Sequence, residues 1–206
     1  MRTIERKKSA MRRPAKRENV GVYRAAREPM SEKKRDENAL RFAALGGLEE
    51  IGRNMMFLEY KDEIIVVDMG LQFPEEETPG IDYIIPDISY LEKKRQNIKG
   101  IVITHAPLDH IGAAPYLIER LGNPLIYTTE LTKEIMKKRQ DEFLNSPRLN
   151  FKIVKSGEKA SIGEYFVAEF FDVQPNIPAT IGLVIETPVG HIVPPGEYKL
   201  DRMKSG

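Results

Sequence analysis

Cysteine and tryptophan are both absent from this 206-residue chain, and histidine occurs only three times. Without thiols there are no disulfides and no thiolate metal sites, so any bound metal must be held by imidazole or carboxylate. Apolar runs long enough to cross a bilayer are also missing, although 41% of the residues are hydrophobic. The N-terminus is basic but leads into Pro14, Lys16 and Arg17 instead of an apolar stretch, which argues against a secretory signal. Together these absences predict a soluble protein of the cytoplasm.

Charge is unevenly distributed. A net charge of +1 conceals a basic segment, residues 1–40, with 13 Lys and Arg against 6 Asp and Glu (net +7), and an acidic one, 41–206, with 19 against 25 (net −6). Residues 1–39 hold almost no large apolar side chains and are predicted to be disordered, because they cannot bury enough surface to fold alone. Within them Arg2, Arg6, Lys7, Lys8, Arg12, Arg13, Lys16 and Arg17 suit an electrostatic arm for RNA, which would neutralise phosphates without reading sequence. A solubilising tail or a mispredicted start codon are the plain alternatives, and Tyr23 is the one aromatic there for stacking.

From residue 40 onward strands and helices alternate, without repeats or low-complexity blocks. Residues 41–45, 54–60 and 64–68 read as successive strands, and strands resume at 151–154, 165–171, 181–186 and 191–193. Helices are predicted over 88–96, 111–121 and 131–143, the last turning Leu131, Ile135 and Phe143 towards a sheet. Ile101-Val102-Ile103 reads as a buried strand, so the loop Thr104-His105-Ala106-Pro107-Leu108-Asp109-His110 lies at a strand's carboxyl end, just before a helix. That is where α/β proteins place their chemistry. In an arbitrary loop such residues are solvated polar groups; here His105, Asp109 and His110 are candidate metal ligands.

The loop resembles the metal-binding signature T-H-x-H-x-D-H, with Pro107 in place of the second histidine. Three further stretches, Gly46-Gly47-Leu48-Glu49-Glu50-Ile51-Gly52-Arg53-Asn54-Met55, Val66-Val67-Asp68-Met69-Gly70-Leu71-Gln72-Phe73-Pro74 and Ile81-Asp82-Tyr83-Ile84-Ile85-Pro86-Asp87-Ile88-Ser89-Tyr90-Leu91, resemble ribonuclease J. That family joins a metallo-β-lactamase domain to a β-CASP domain and degrades RNA with two zinc ions, endonucleolytically and from the 5′ end. The resemblance runs from about Leu40 to Asp201 and implies an α/β fold of the αββα sandwich type. Family members are far longer than 206 residues, and their metallo-β-lactamase domain resumes after the inserted β-CASP domain. Residues 40–206 are therefore expected to match only the N-terminal half of that domain, a partial sandwich, with no counterpart of the β-CASP domain, the 5′-phosphate pocket or the late metal-binding histidines.

The resemblance also assigns site residues. Asp68, followed by Met69-Gly70, matches a carboxylate that orients a metal ligand or its loop; capping a strand-end turn is its ordinary alternative. The family motif V-x-H-S-I-P-D-S-x-G corresponds to residues 173–182, where Pro175 replaces a ligand histidine and offers neither imidazole nor N–H. H-T-G-D appears as Pro194-Pro195-Gly196-Glu197, in which Glu197 replaces the aspartate that bridges both metals. It is the same ligand on a longer stem, displaced by more than about 1 Å. One metal position thus keeps only His105, and the other keeps Asp109, His110 and Glu197, which makes Asp109 and Glu197 degenerate catalytic carboxylates. None or one weakly held zinc is expected where the family holds two. His191, after the Pro188-Val189-Gly190 turn, reads as a surface residue.

Two functions follow as expectations. One is a ribonuclease J-like protein of RNA processing or mRNA decay, surviving as a catalytically impaired RNA-binding remnant or fragment, a pseudoenzyme. The other is an active zinc-dependent endo- and 5′-3′ exoribonuclease, completed by a partner chain or a missing segment. A half-domain with open strand edges is also expected to self-associate or to recruit such a partner.

Overall fold

The computed structural model describes residues 36, 38–74, 80–173 and 179–194. The basic residues Arg6, Lys7, Lys8, Arg12, Arg13, Lys16 and Arg17, and with them Pro175 and Glu197, lie outside the described residues.

Six strands, β1 (Arg41–Gly46), β2 (Met55–Tyr60), β3 (Glu63–Val67), β4 (Ile98–Val102), β5 (Ile126–Thr128) and β6 (Phe151–Ile153), form one sheet in chain order. The first two pairings are antiparallel and the remaining three parallel. A second, antiparallel sheet is a meander of β7 (Lys159–Ile162), β8 (Phe166–Asp172), β9 (Ile181–Thr187) and β10 (Gly190–Ile192). Among the described residues four α-helices, α1 (Ser89–Lys93), α2 (Leu108–Ile111), α3 (Ala114–Leu117) and α4 (Glu130–Asp141), are interleaved with the parallel strands.

The layering follows from the two-residue period of a strand. Phe57, Ile64, Val66 and Ile101 face a core shared with Leu91, Ile111, Leu117 and Met136 of the helices. Their neighbours Leu58, Ile65, Val67 and Val102 face the opposite way, against Ile162, Phe166, Ala168, Phe170, Leu183 and Ile185 of the second sheet. Covered on both faces, β3 is buried at every position, which is why it reads as an uninterrupted apolar run after Glu63. Helices, six-stranded sheet and four-stranded sheet are three of the four layers of an αββα sandwich, as a partial metallo-β-lactamase fold requires. Among the described residues no helix is long and apolar enough to cross a membrane.

Several local expectations need correction. The helix expected over 111–121 is two short turns, because Gly112 ends α2 and Pro115 can only sit in the first turn of α3. In α4 the docked stripe is Thr132, Met136 and Gln140, whereas Leu131 and Ile135 are exposed. The Thr129 side chain caps the helix from the N–H of Thr132, and Gln140 donates to the carbonyl of Pro147, so polar anchors set the helix rotation. Strands β5 and β7 were not expected.

The two sheets are tied together by a buried carboxylate. Glu63, first residue of β3, accepts from the backbone N–H groups of Glu164 (2.7 Å) and Tyr165 (3.1 Å), in the turn between β7 and β8. Lys99 adds a cation 3.6 Å away. Glu63→Ala leaves both N–H groups without this acceptor and is expected to cost about 2–3 kcal/mol in denaturant unfolding. A loss below about 0.5 kcal/mol would show that the latch adds nothing beyond surface pairing.

Candidate metal centre

β3 and β4 are adjacent and parallel, with Val67 paired to Val102, so the loops that leave them meet at one end of the sheet. Asp68 leaves β3 with a positive φ of 62° and its N–H donates to the carbonyl of Val102 (2.9 Å). This turn aims its carboxylate into the β4 loop, where it accepts from the backbone N–H of Thr104 (2.8 Å) and from the Thr104 hydroxyl (2.9 and 3.1 Å).

The same carboxylate lies 2.8 Å from Nδ1 of His110. Asp68 thus orients the ring with Nδ1 towards its carboxylate and Nε2 away from it. Nε2 lies 3.4 Å from Oδ2 of Asp109. His105 is buried beside this pair, its ring centroid 4.0 Å from that of His110 and its Nδ1 2.9 Å from the Thr104 hydroxyl. The loop therefore brings His105, Asp109, His110 and Asp68 into one cluster. His191, by contrast, is exposed on β10 opposite Glu186.

Electrostatically the cluster favours positive charge. Burial works against a charged imidazole at His110, but the carboxylates of Asp109 and Asp68 outweigh it and push its pKa up to about 10. The bond with His110 in turn holds the Asp109 carboxyl below the usual range, against the opposing effect of burial.

Pro107 stands at the N-terminus of α2 with φ −63° and ψ 154°, and its carbonyl accepts from the N–H groups of His110 (2.9 Å) and Ile111 (3.0 Å). The proline thus starts the helix that carries Asp109 and His110, but it supplies no ligand. Among the described residues no group of three or more His, Asp or Glu forms a ready metal-binding set. Ile181, the first residue of β9, donates to the carbonyl of Thr104 (3.1 Å) and so reaches the cluster from the second sheet.

Two participants were not expected from the sequence. Thr104 carries the hydrogen bonds that lock Asp68. Asn54, in the loop between β1 and β2, places its side-chain nitrogen 3.1 Å from Oδ2 of Asp109 and 3.2 Å from Nε2 of His110. A polar residue after Gly52-Arg53 in the stretch 46–55 was the available signal, but the contact spans 55 residues of sequence. Two concavities flank the cluster. One, of about 520 Å³, runs from Phe42, Met56 and Val193 to Asp68 and His110; the other, of about 500 Å³, runs from Glu49, Ile51 and Phe73 to Asp109.

Comparison with known proteins agrees with this geometry. The sequence pattern of the metallo-beta-lactamase superfamily matches residues 48–197. Ribonuclease J of Thermus thermophilus is 40% identical over 162 residues, covering 76% of this chain and 28% of the relative. Ribonuclease J of Helicobacter pylori (strain 26695) is 42% identical over 164 residues, covering 79% of this chain and 24% of the relative. The chain thus spans about a quarter of the length of these relatives. A crystal structure of a protein of unknown function from Enterococcus faecalis shares the fold, with a TM-score of 0.58 at 21% identity over 74% of this chain and 42% of that one. Membership of the superfamily implies metal binding, usually of zinc. With its sandwich layers, its histidine-bearing loop at a strand end and a match over most of its length, the chain belongs to the metallo-beta-lactamase superfamily and is similar to ribonuclease J.

Proposed function

We propose that the chain is a ribonuclease J-like protein of RNA processing or decay that holds RNA with its basic N-terminal segment and is impaired in hydrolysis. What supports this most directly is Pro107, fixed at the start of α2 beside the two buried imidazoles, where the family signature has a ligand histidine.

The residues present fit one cation better than a pair. Asp109 and His110 bring Oδ2 and Nε2 within 3.4 Å of each other, and a cation that displaces the imidazole proton would be held by them together with Glu197. When bound, a divalent ion supplies an activated water and a charge for the leaving oxygen. Asp68 does the chain's own part by keeping Nδ1 of His110 occupied and Nε2 turned outward. The position that keeps only His105 lacks the ligands for tight binding, so none or one weakly held zinc is the expectation for the whole chain.

The test combines RNA shortening with RNA binding. Incubated with 5′-monophosphorylated RNA and Mn²⁺ or Zn²⁺, the full chain is expected to bind without shortening the RNA. Removal of residues 1–40 is expected to weaken binding and to flatten its salt dependence, because the remainder has net charge −6 and few contacts that release counterions. Conversion to mononucleotides that is abolished by Asp109→Ala, or an unchanged salt slope after truncation, would sink the respective half of the proposal.

A second reading, an active zinc ribonuclease completed by another chain or segment, is favoured by the intact Asp68–His110–Asp109 arrangement. Metal content separates the two, since about two zinc ions per chain would support a paired-metal enzyme.

A further inference from the structure

Asn54 is brought to the cluster by a loop that belongs to neither ligand-bearing strand. Its backbone is fixed on both sides: its N–H donates to the carbonyl of Asp109 (3.0 Å) and its carbonyl accepts from Gly70 (2.9 Å). Its side-chain nitrogen then lies 3.1 Å from Oδ2 of Asp109 and 3.2 Å from Nε2 of His110, atoms themselves 3.4 Å apart. The three form a nearly equilateral triangle. An amide NH₂ has two hydrogens, and the bond to Asp109 uses one of them.

Asp109 needs such a partner. It sits in the first turn of a four-residue helix with its side chain 28% exposed, so solvent competes for its carboxylate. His110 is locked at Nδ1 by Asp68, whereas the Asp109 carboxylate is held by the Asn54 amide and by His110 itself. A neutral donor restrains the carboxylate without adding a positive charge that would repel a cation. We infer that Asn54 is a positioning residue of the Asp109–His110 pair, its side-chain amide holding the Asp109 carboxylate turned towards the imidazole so that both ligand atoms stay converged for a divalent cation. This rests on the reading of Asp109 and His110 as ligands of such an ion.

Co²⁺ is a suitable probe, because its visible absorption reports the ligands around it and requires no catalytic activity. Titrated into the full chain, Co²⁺ is expected to bind Asn54→Ala about 10- to 100-fold more weakly than wild type, the usual effect of losing a partner of a metal ligand. The metal-free unfolding midpoint should move little, because the backbone bonds at residue 54 survive the substitution. A second readout does not require that variant to fold: with no metal present, the side-chain ¹⁵N–¹H₂ resonances of Asn54 are expected to differ between wild type and Asp109→Asn. Equal Co²⁺ affinity in wild type and Asn54→Ala, with the ion bound in both, overturns the positioning role alone. Failure of wild type to bind Co²⁺ overturns the ligand reading and this inference with it. Unfolding of Asn54→Ala together with an Asn54 amide indifferent to Asp109→Asn would reduce the residue to a loop clamp and overturn the inference.

Discussion

Restoring Pro107→His, Pro175→His and Glu197→Asp together is expected to raise zinc affinity by more than about 100-fold, while each single reversion changes it little. Ligands around one ion act as a unit, since two good ligands gain little until a third completes the geometry. The scaffold is suited to the change at residue 107. Its φ of −63° and ψ of 154° are open to any residue, and the carbonyl that starts α2 belongs to the backbone whatever side chain is present. His105 and His110 are already buried side by side, so an imidazole added to this loop joins ligands in place. Competition with a chromophoric chelator measures the affinity of the full chain for zinc. If Pro175→His alone restored tight binding, the division of ligands between a depleted and a partly retained position would be wrong.

The part of the centre legible in the sequence was the part encoded within a few residues. His105, Asp109 and His110 share one loop, and the β-branched run before it marks a strand end; both features are local. Asp68 was singled out through the resemblance, and it lies 2.8 Å from Nδ1 of His110. Asn54 and Thr104 were missed because their roles depend on where separate loops meet in space. The same limit applied to the fold. Apolar runs bounded by turn residues marked most strands, the three-residue β6 and β10 among them, whereas β5 has only three residues and β7, Lys159-Ala160-Ser161-Ile162, carries a single large apolar side chain. In α4 the apolar stripe of Leu131 and Ile135 suggested a face one position away from the one that docks, because the cap at Thr129 and the bond from Gln140 to Pro147 set the rotation.

Gly70→Ala is expected to be among the most damaging single substitutions in the described part of the chain. The segment from Met69 to Leu71 is stitched to α2 and the residues after it: Met69 donates to the carbonyl of His110 (2.7 Å), Leu71 to that of Leu108 (3.0 Å), and the carbonyl of Met69 accepts from Ala113 (2.9 Å). Gly70 itself donates to Asn54. So close is this packing that a Cβ at residue 70 would collide with the backbone carbonyl of Asp109 and crowd the backbone nitrogen of Asn54. Neither obstacle is the end of a flexible side chain, so α2 or the Asn54 loop must move. Overpacking costs about 1–3 kcal/mol or more, and each backbone bond lost adds roughly 1 kcal/mol. A total of about 3–5 kcal/mol corresponds to a fall in Tm of about 10 °C for a chain of this size. Gly157→Ala is the control: residue 157 has φ +81° with open space around it, so the substitution carries backbone strain without collision, about 1–2 kcal/mol. Calorimetry of the two variants separates the effects, and cation binding should be lost only at residue 70, where Asp109 and His110 are displaced. A Gly70→Ala chain within about 1 kcal/mol of wild type, still binding Co²⁺ like wild type, would mean that α2 is not held by this contact.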